Sequence, residues 1–223
     1  MGGTFDVNIS KKRPGTYINF VPEGKQTVKG SKRGTALLPL IGLGWGPDKG
    51  TIKLTAASPD AEMAKLGHSV YDDNDFMLLV REAFKGATTV VVYVINPGTK
   101  ATATAEGITL TAAYGGTRGN DISVACVAEA GKDTFAVKVY LEADVAEEYT
   151  GLSTVADLIA ANSGNYVVFT AESTEAKLTA FASAKLTGGA DGTVSNSAVT
   201  AFLDASEMIK WNTMALPVTE ETL

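Results

Sequence analysis

The sequence is short of the side chains on which most catalytic and metal chemistry is built. It holds a single cysteine, Cys126, and a single histidine, His68, in 223 residues. One cysteine excludes an intrachain disulfide and a cysteine-rich metal site, and one histidine excludes a two-histidine metal site or a histidine relay. Flanked by Val124, Ala125 and Val127, Cys126 reads as a small core residue. Cationic charge is also scarce: 19 Lys and Arg against 25 Asp and Glu leave a net charge of −6. That balance argues against nucleic acid or an anionic membrane as partner, because phosphate binding is driven by clustered Lys and Arg. The two basic clusters, Lys11-Lys12-Arg13 and Lys29 with Lys32-Arg33, read as solvated charge. The longest apolar stretch, Thr35 to Trp45, is interrupted by Pro39 and glycines and is too short for a bilayer span. "MGGTFDVNISKKRPG" has no apolar centre for a secretory signal, and Asp6 stands where a myristoylation site prefers Ser or Thr.

What the chain has in quantity is glycine, 23 residues of it. Three glycine-rich stretches invite comparison with phosphate-binding loops. "GLGWGP" (42–47) has Pro47 in place of the third glycine, and no helix follows directly. "AYGGTRGNDISV" (112–123) lacks the Gly-Lys-Ser/Thr ending and leads into a strand. "GGADG" (188–192) precedes a helix without a lysine or distal acid. Each is better read as turn glycine: Gly115, Gly116 and Gly119 in the second stretch are expected at positive φ, with Arg118 and Asn120 pinning the turn. Gly188, Gly189 and Gly192 form a glycine-rich hinge. His68 reads as structural, and the group Asp72, Asp73 and Asp75 lacks calcium-loop spacing and reads as helix N-capping. No catalytic, cofactor-binding or metal-ligating constellation emerges, and none of the readings calls for a cofactor.

The hydrophobic pattern divides the chain into four parts. Residues 1–20 form an extended N-terminal arm in which Phe5, Val7 and Ile9 alternate with polar residues, Pro14-Gly15 punctuate, and Tyr17, Ile18 and Phe20 begin a second extended piece. Residues 21–98 start an α/β body. Thr35 to Leu43 is a buried strand, Ser58-Pro59 opens a helix reaching about Leu66, and a second helix spans Asp75 to Lys85 with Phe76, Leu79, Val80, Ala83 and Phe84 on one face. "TTVVVYVI" (88–95) is β-branched throughout, as a strand covered on both sides should be. Strand, helices, strand is a βαβ unit. Residues 99–188 read as an inserted, β-rich α+β module, with strands at Ile122–Ala128, Phe135–Leu141 and Tyr166–Thr170 and a helix at Val155–Ala161. Residues 189–223 return to the body with an amphipathic helix marked by Val199, Phe202, Leu203 and Met208, then a strand beginning "TMALPV". The fold class is thus α/β plus α+β, and the body is expected to be incomplete at its C-terminal end.

In order along the chain, "RPGTYINF" (13–20), "IGLGWGP" (41–47), "AFKGATTVVVYVI" (83–95), "LTAAYGGTRGNDISV" (110–123) and "GGADG" (188–192) resemble the contractile tail sheath proteins of bacteriophages and phage-derived particles. The resemblance implies a non-enzymatic virion subunit that polymerises around a tail tube and contracts to drive it through the bacterial envelope. It implies strand exchange with neighbouring sheath subunits through the arm residues Phe5, Val7, Ile9, Pro14, Gly15, Tyr17, Ile18 and Phe20. It also implies tail tube and baseplate partners, no membrane insertion, and assembly in the host cytoplasm. Two alternatives stay open at this level: another self-assembling tail or surface module, and a phosphate- or nucleotide-binding enzyme using the glycine loops.

Overall fold

A computed structural model describes residues 34–56, 65–69 and 71–216. The arm residues Phe5 to Phe20, most of the helix read from Ser58 onward, and the end of the "TMALPV" strand lie outside these residues.

Within Arg33–Leu223, which forms one compact unit, the described residues are mixed α/β, with three α-helices and strands in three sheets. The first sheet holds β1 (Thr35–Ile41), β2 (Gly50–Thr55), β3 (Thr89–Ile95) and β11 (Thr213–Met214), in the order β11-β1-β3-β2. β1 pairs in parallel with β3 from Thr35 opposite Thr89 to Ile41 opposite Ile95, and with β11 through Ala36 and Leu37. α1 (Asp75–Gly86) covers one face, with Met77 and Val80 packed over Leu38, Leu40, Ile52, Leu54, Val90 and Val92. α3 (Asn196–Met208) covers the other, with Ala198 and Phe202 against Leu37, Tyr93 and Ile95. Two covered faces explain why β3 is apolar at nearly every position.

Three local readings change. β2 is a strand that the sequence pattern leaves inside a loop; only Ile52 and Leu54 alternate inward, too few to stand out from the glycines around them. The α1 cap is Asn74, whose Oδ1 accepts from Met77 N at 2.8 Å, whereas Asp72 accepts from Ser69 N at 3.1 Å in the preceding turn. In α3, Leu203 and Met208 point outward, at 46% and 86% exposure, and the inward row is Ala198, Phe202 and Ser206.

The other two sheets share a separate core. β4 (Lys100–Ala105), β5 (Ile108–Gly115) and β9 (Val167–Ala171) form one; β6 (Ile122–Ala128), β7 (Phe135–Leu141), β8 (Asp144–Leu152) and β10 (Phe181–Lys185) form the other, in the order β10-β6-β7-β8. Ile108, Leu110, Val124, Cys126, Val137 and Phe169 meet between them. The β4–β5 hairpin turns through Glu106 and Gly107, both at positive φ (47° and 77°), the arrangement that suits the twist of paired strands. α2 (Val155–Ala161) begins with a reciprocal cap, Thr154 Oγ1 accepting from Asp157 N and Asp157 Oδ2 accepting from Thr154 N. β8 and β10 are absent from the sequence reading because both are edge strands with irregular register and mostly exposed residues, so neither shows clean alternation. No helix among the described residues is long and apolar enough to cross a membrane.

This packing separates two apolar residues that composition alone would treat alike. Leu110→Ala, in the core between the sheets, should lower unfolding free energy by about 2–5 kcal/mol, while Leu203→Ala should stay within about 0.5 kcal/mol. Urea unfolding followed by circular dichroism measures both.

Candidate functional site

The segment between the two cores is built almost entirely from backbone. The chain leaves the first sheet through Asn96, Pro97 and Gly98, passes into β4, and comes back through Gly188 to Gly192. Outgoing and returning segments pair antiparallel: Thr99 N donates to Ala190 O at 2.8 Å, and Thr102 and Thr187 exchange both hydrogen bonds. The end of β5 and the short 3-10 turn Thr117–Asp121 close over this pair, Gly116 N donating to Thr99 O at 2.9 Å.

The approach is closer than side chains allow. A Cβ at Gly115 would stand 1.9 Å from Gly98 O, one at Gly116 1.8 Å from Gly44 O, and one at Gly189 2.5 Å from Gly116 O. At Gly192 a Cβ would meet the Pro97 backbone at 2.7 Å. Gly116 also has φ 116° and ψ 167°, a conformation essentially restricted to glycine. The expectation of positive φ at Gly115 and Gly119 is not met: both lie outside that region, Gly115 being required by contact and Gly119 by packing on Ala101 and Ala112. Gly188 is the reverse case, with φ 81° and open space around it.

Side chains then fasten the junction. Asn96, 5% exposed, donates from Nδ2 to Gly46 O at 3.0 Å and to Gly115 O at 2.7 Å, while its Oδ1 accepts from Gly98 N. Asn120 exchanges two bonds with Gly189, at 2.8 and 2.9 Å. Trp45, from the loop after β1, is 1% exposed in the core of the other two sheets, edge-on to Tyr114 at 5.4 Å and stacked near Tyr166. The "YGGTRGND" loop does cradle an anion, but that anion is the protein's own. Asp191 Oδ1 accepts from Thr117 N at 2.7 Å, and its carboxylate also accepts from Thr117 Oγ1. The returning segment, read as a hinge, is held at Thr99, Asn120 and Thr117.

Beside the junction lies a crevice of about 560 Å³, lined among others by His68, Asp72, Arg118, Glu142, Asp144 and Tyr166. Arg118 crosses it: Nε donates to Gly67 O at 3.0 Å, and Nη1 donates to Asp121 Oδ2 at 3.0 Å and to Glu142. Burial draws the guanidinium pKa down, but the two carboxylates outweigh it and the net shift is upward. Burial, and after it the field of Arg118, hold the His68 imidazole below its ordinary value despite Asp72 at 3.2 Å. Burial pushes the Cys126 thiol up, away from the reactive thiolate. Among the described residues, no group of three or more His, Cys, Asp or Glu is arranged to hold a metal ion.

Of the residues singled out in the sequence, Gly115, Gly116, Gly119, Asn120, Gly188, Gly189 and Gly192 converge on this junction. Asn96, Trp45 and Asp191 were missed. Their signals were faint: an asparagine between a β-branched run and Pro-Gly, a tryptophan among glycines, and an acid inside "GGADG".

Substitution should grade with these contacts. Gly188→Ala should cost about 1–2 kcal/mol, the price of a left-handed alanine. Asn96→Ala should cost about 1–3 kcal/mol for each carbonyl deprived of its donor. Gly116→Ala should exceed both and displace Trp45, read as a red shift of tryptophan emission in the native baseline of a urea titration.

Residues 96–191, the same stretch that runs from Asn96 to Asp191, match the phage tail sheath protein beta-sandwich domain. Across 97% of its length the chain is 35% identical to YqbK of Bacillus subtilis strain 168, covering 48% of that protein. It is also 35% identical to the phage-like element PBSX protein XkdK of the same strain, across 98% of the chain and 49% of the relative. Among solved structures it is similar to a sheath tail protein from Desulfitobacterium hafniense (TM-score 0.71, 34% identity, 93% of this chain and 46% of that one). A sheath tail protein from Listeria innocua matches with TM-score 0.74 and 34% identity, over 86% of this chain and 42% of that one. The chain spans about half the length of these relatives.

Proposed function

We propose, from the premise that this chain belongs to the phage tail sheath proteins, that it is a structural subunit of a contractile tail sheath, polymerising around a tail tube and contracting to drive the tube through a bacterial envelope. The observation that carries the reading is the match of residues 96–191 to the sheath beta-sandwich domain. In this reading the chain divides into an arm (1–20), a first body segment (21–98), an inserted module (99–188) and a return to the body (189–223). Neighbouring sheath subunits, the tube and the baseplate are its partners. The virion tail is its destination, after assembly in the host cytoplasm.

A sheath subunit needs no catalytic group, because its work is stored in interfaces between bistable packings and not in bonds it breaks. The glycine loops support a structural role on steric grounds. Gly116 faces Gly44 O and Thr117 faces the Asp191 carboxylate, so the groups that would receive a nucleotide phosphate are already engaged. Strand exchange through residues 1–20 would keep subunits joined by backbone hydrogen bonds while their bodies reorient.

Deleting residues 1–20 in the particle-forming protein should leave circular dichroism of the purified chain essentially unchanged. Electron micrographs of particles should then show bare tubes without a sheath. Sheaths of normal length and striation on the deletion particles would overturn the strand-exchange reading.

A further inference from the structure

The returning segment, Gly188 to Gly192, carries the chain's one Asp-Gly dipeptide, Asp191-Gly192, and the sequence contains no Asn-Gly. This pair is chemically distinctive. A backbone nitrogen that follows an aspartate can attack the side-chain carboxyl carbon and close a five-membered imide. A side chain on the following residue shields that nitrogen, and glycine has none. Gly192 N donates no hydrogen bond among the described residues, so no such bond has to break before it reacts.

The fold itself demands this glycine. A Cβ at Gly192 would stand 2.7 Å from the Pro97 carbonyl carbon and oxygen, where the outgoing segment leaves the first sheet. The reactive linkage is therefore fixed by sterics, because no bulkier residue fits at 192 to shield it. Its partner is restrained in turn. Asp191 is exposed to solvent, yet its Oδ1 accepts from Thr117 N at 2.7 Å. Thr117 Oγ1 lies 3.1 and 2.9 Å from the two carboxylate oxygens. Gly44 closes another side, since a Cβ there would be 2.7 Å from Oδ1. Rotating the carboxyl carbon onto the Gly192 nitrogen moves these held oxygens, and the residue that holds them lies 74 positions earlier in the chain.

We infer that Asp191-Gly192 is a site of spontaneous aspartate isomerisation, and that Thr117 is the clamp that holds it in check while the returning segment is closed. In the first step the Gly192 nitrogen bonds to Asp191 Cγ. One carboxylate oxygen leaves as water, taking the amide proton and a proton from solvent. Water then opens the imide at either carbonyl. Opening at Cγ restores aspartate; opening at the main-chain carbonyl leaves isoaspartate, whose backbone runs through Cβ and Cγ and is one methylene longer. The junction has no slack for that carbon. Upstream, Ala190 pairs with Thr99 and Gly189 bonds Asn120; downstream, Gly192 lies against Pro97. A segment that opens and isomerises thus fails to reclose in its original register, and a reversible opening becomes permanent. This chemistry belongs to the chain itself and does not rest on the sheath reading.

Prolonged incubation of the full chain in H₂¹⁸O at neutral pH, followed by tryptic digestion and tandem mass spectrometry, tests this directly. Each imide that forms and reopens leaves one ¹⁸O on residue 191, whichever carbonyl the water attacks. Label at Asp191 should accumulate several-fold faster in denaturing urea than in the folded chain, with isoaspartate appearing in the same peptide. Thr117→Val removes the hydroxyl and keeps the branched shape; it should label several-fold faster than the parent at an unchanged urea midpoint. Thr117→Ser, which keeps the hydroxyl, should label like the parent. A folded chain that labels as fast as the unfolded one would overturn the inference. So would a Thr117→Val chain no faster than the parent, or label on other aspartates in preference to Asp191. If Thr117→Val lowers the midpoint, the folded-to-unfolded ratio of the parent decides, because it needs no variant.

Discussion

Everything in this structure turns on a backbone contact too close for any Cβ. Gly44, Gly98, Gly115, Gly116 and Gly189 bring four segments of the chain within hydrogen-bonding reach of one another, at distances where an alanine methyl would overlap a carbonyl or, at Gly44, the Asp191 carboxylate oxygen. Such proximity is a constraint first and a stabilisation second. It lets the outgoing and returning segments pair, and it puts the Gly46 and Gly115 carbonyls where Asn96 can bridge them. It also seats Thr117 against Asp191. Remove the glycines and these hydrogen bonds lose their geometry together.

The consequence for the fold is mechanical. Two segments that merely crossed between cores would let those cores swing. Here the crossing is backed by Trp45, which grows from the first sheet's loop into the core of the other two, and by Arg118, which reaches from the 3-10 turn to the Gly67 carbonyl. In the sheath reading proposed above, a subunit that passes force from neighbour to neighbour would gain from such a junction, because the two cores are held by shared backbone and side-chain bonds.

Much of this was legible in the sequence where period and composition agree. β1 and β3 announce themselves by unbroken apolar runs, α1 by its stripe from Phe76 to Phe84, and β6 and β7 by alternation. The glycines of "AYGGTRGNDISV" and "GGADG" were visible as a cluster, but their purpose was not. A sequence shows that glycine is present; it does not show whether φ or a neighbour's carbonyl demands it, and Gly115 and Gly188 turn out to be opposite cases. β8 and β10 escaped because an edge strand need satisfy only one side, and its residues are chosen as much by solvent as by core. Asn96, Trp45 and Asp191 escaped because the partners they reach across the junction lie between 19 and 74 residues away along the chain, or, for Trp45, in a different core.

The central claim is that the junction makes the two cores one cooperative unit. The chain has two tryptophans, and Trp211→Phe would leave Trp45 as the sole reporter of the junction. Urea unfolding of that variant, followed in parallel by Trp45 emission and by far-ultraviolet circular dichroism, is the most direct measurement. The account predicts a single transition with coincident midpoints. Loss of the Trp45 signal in a separate transition, before the helices of the first sheet unfold, would contradict it.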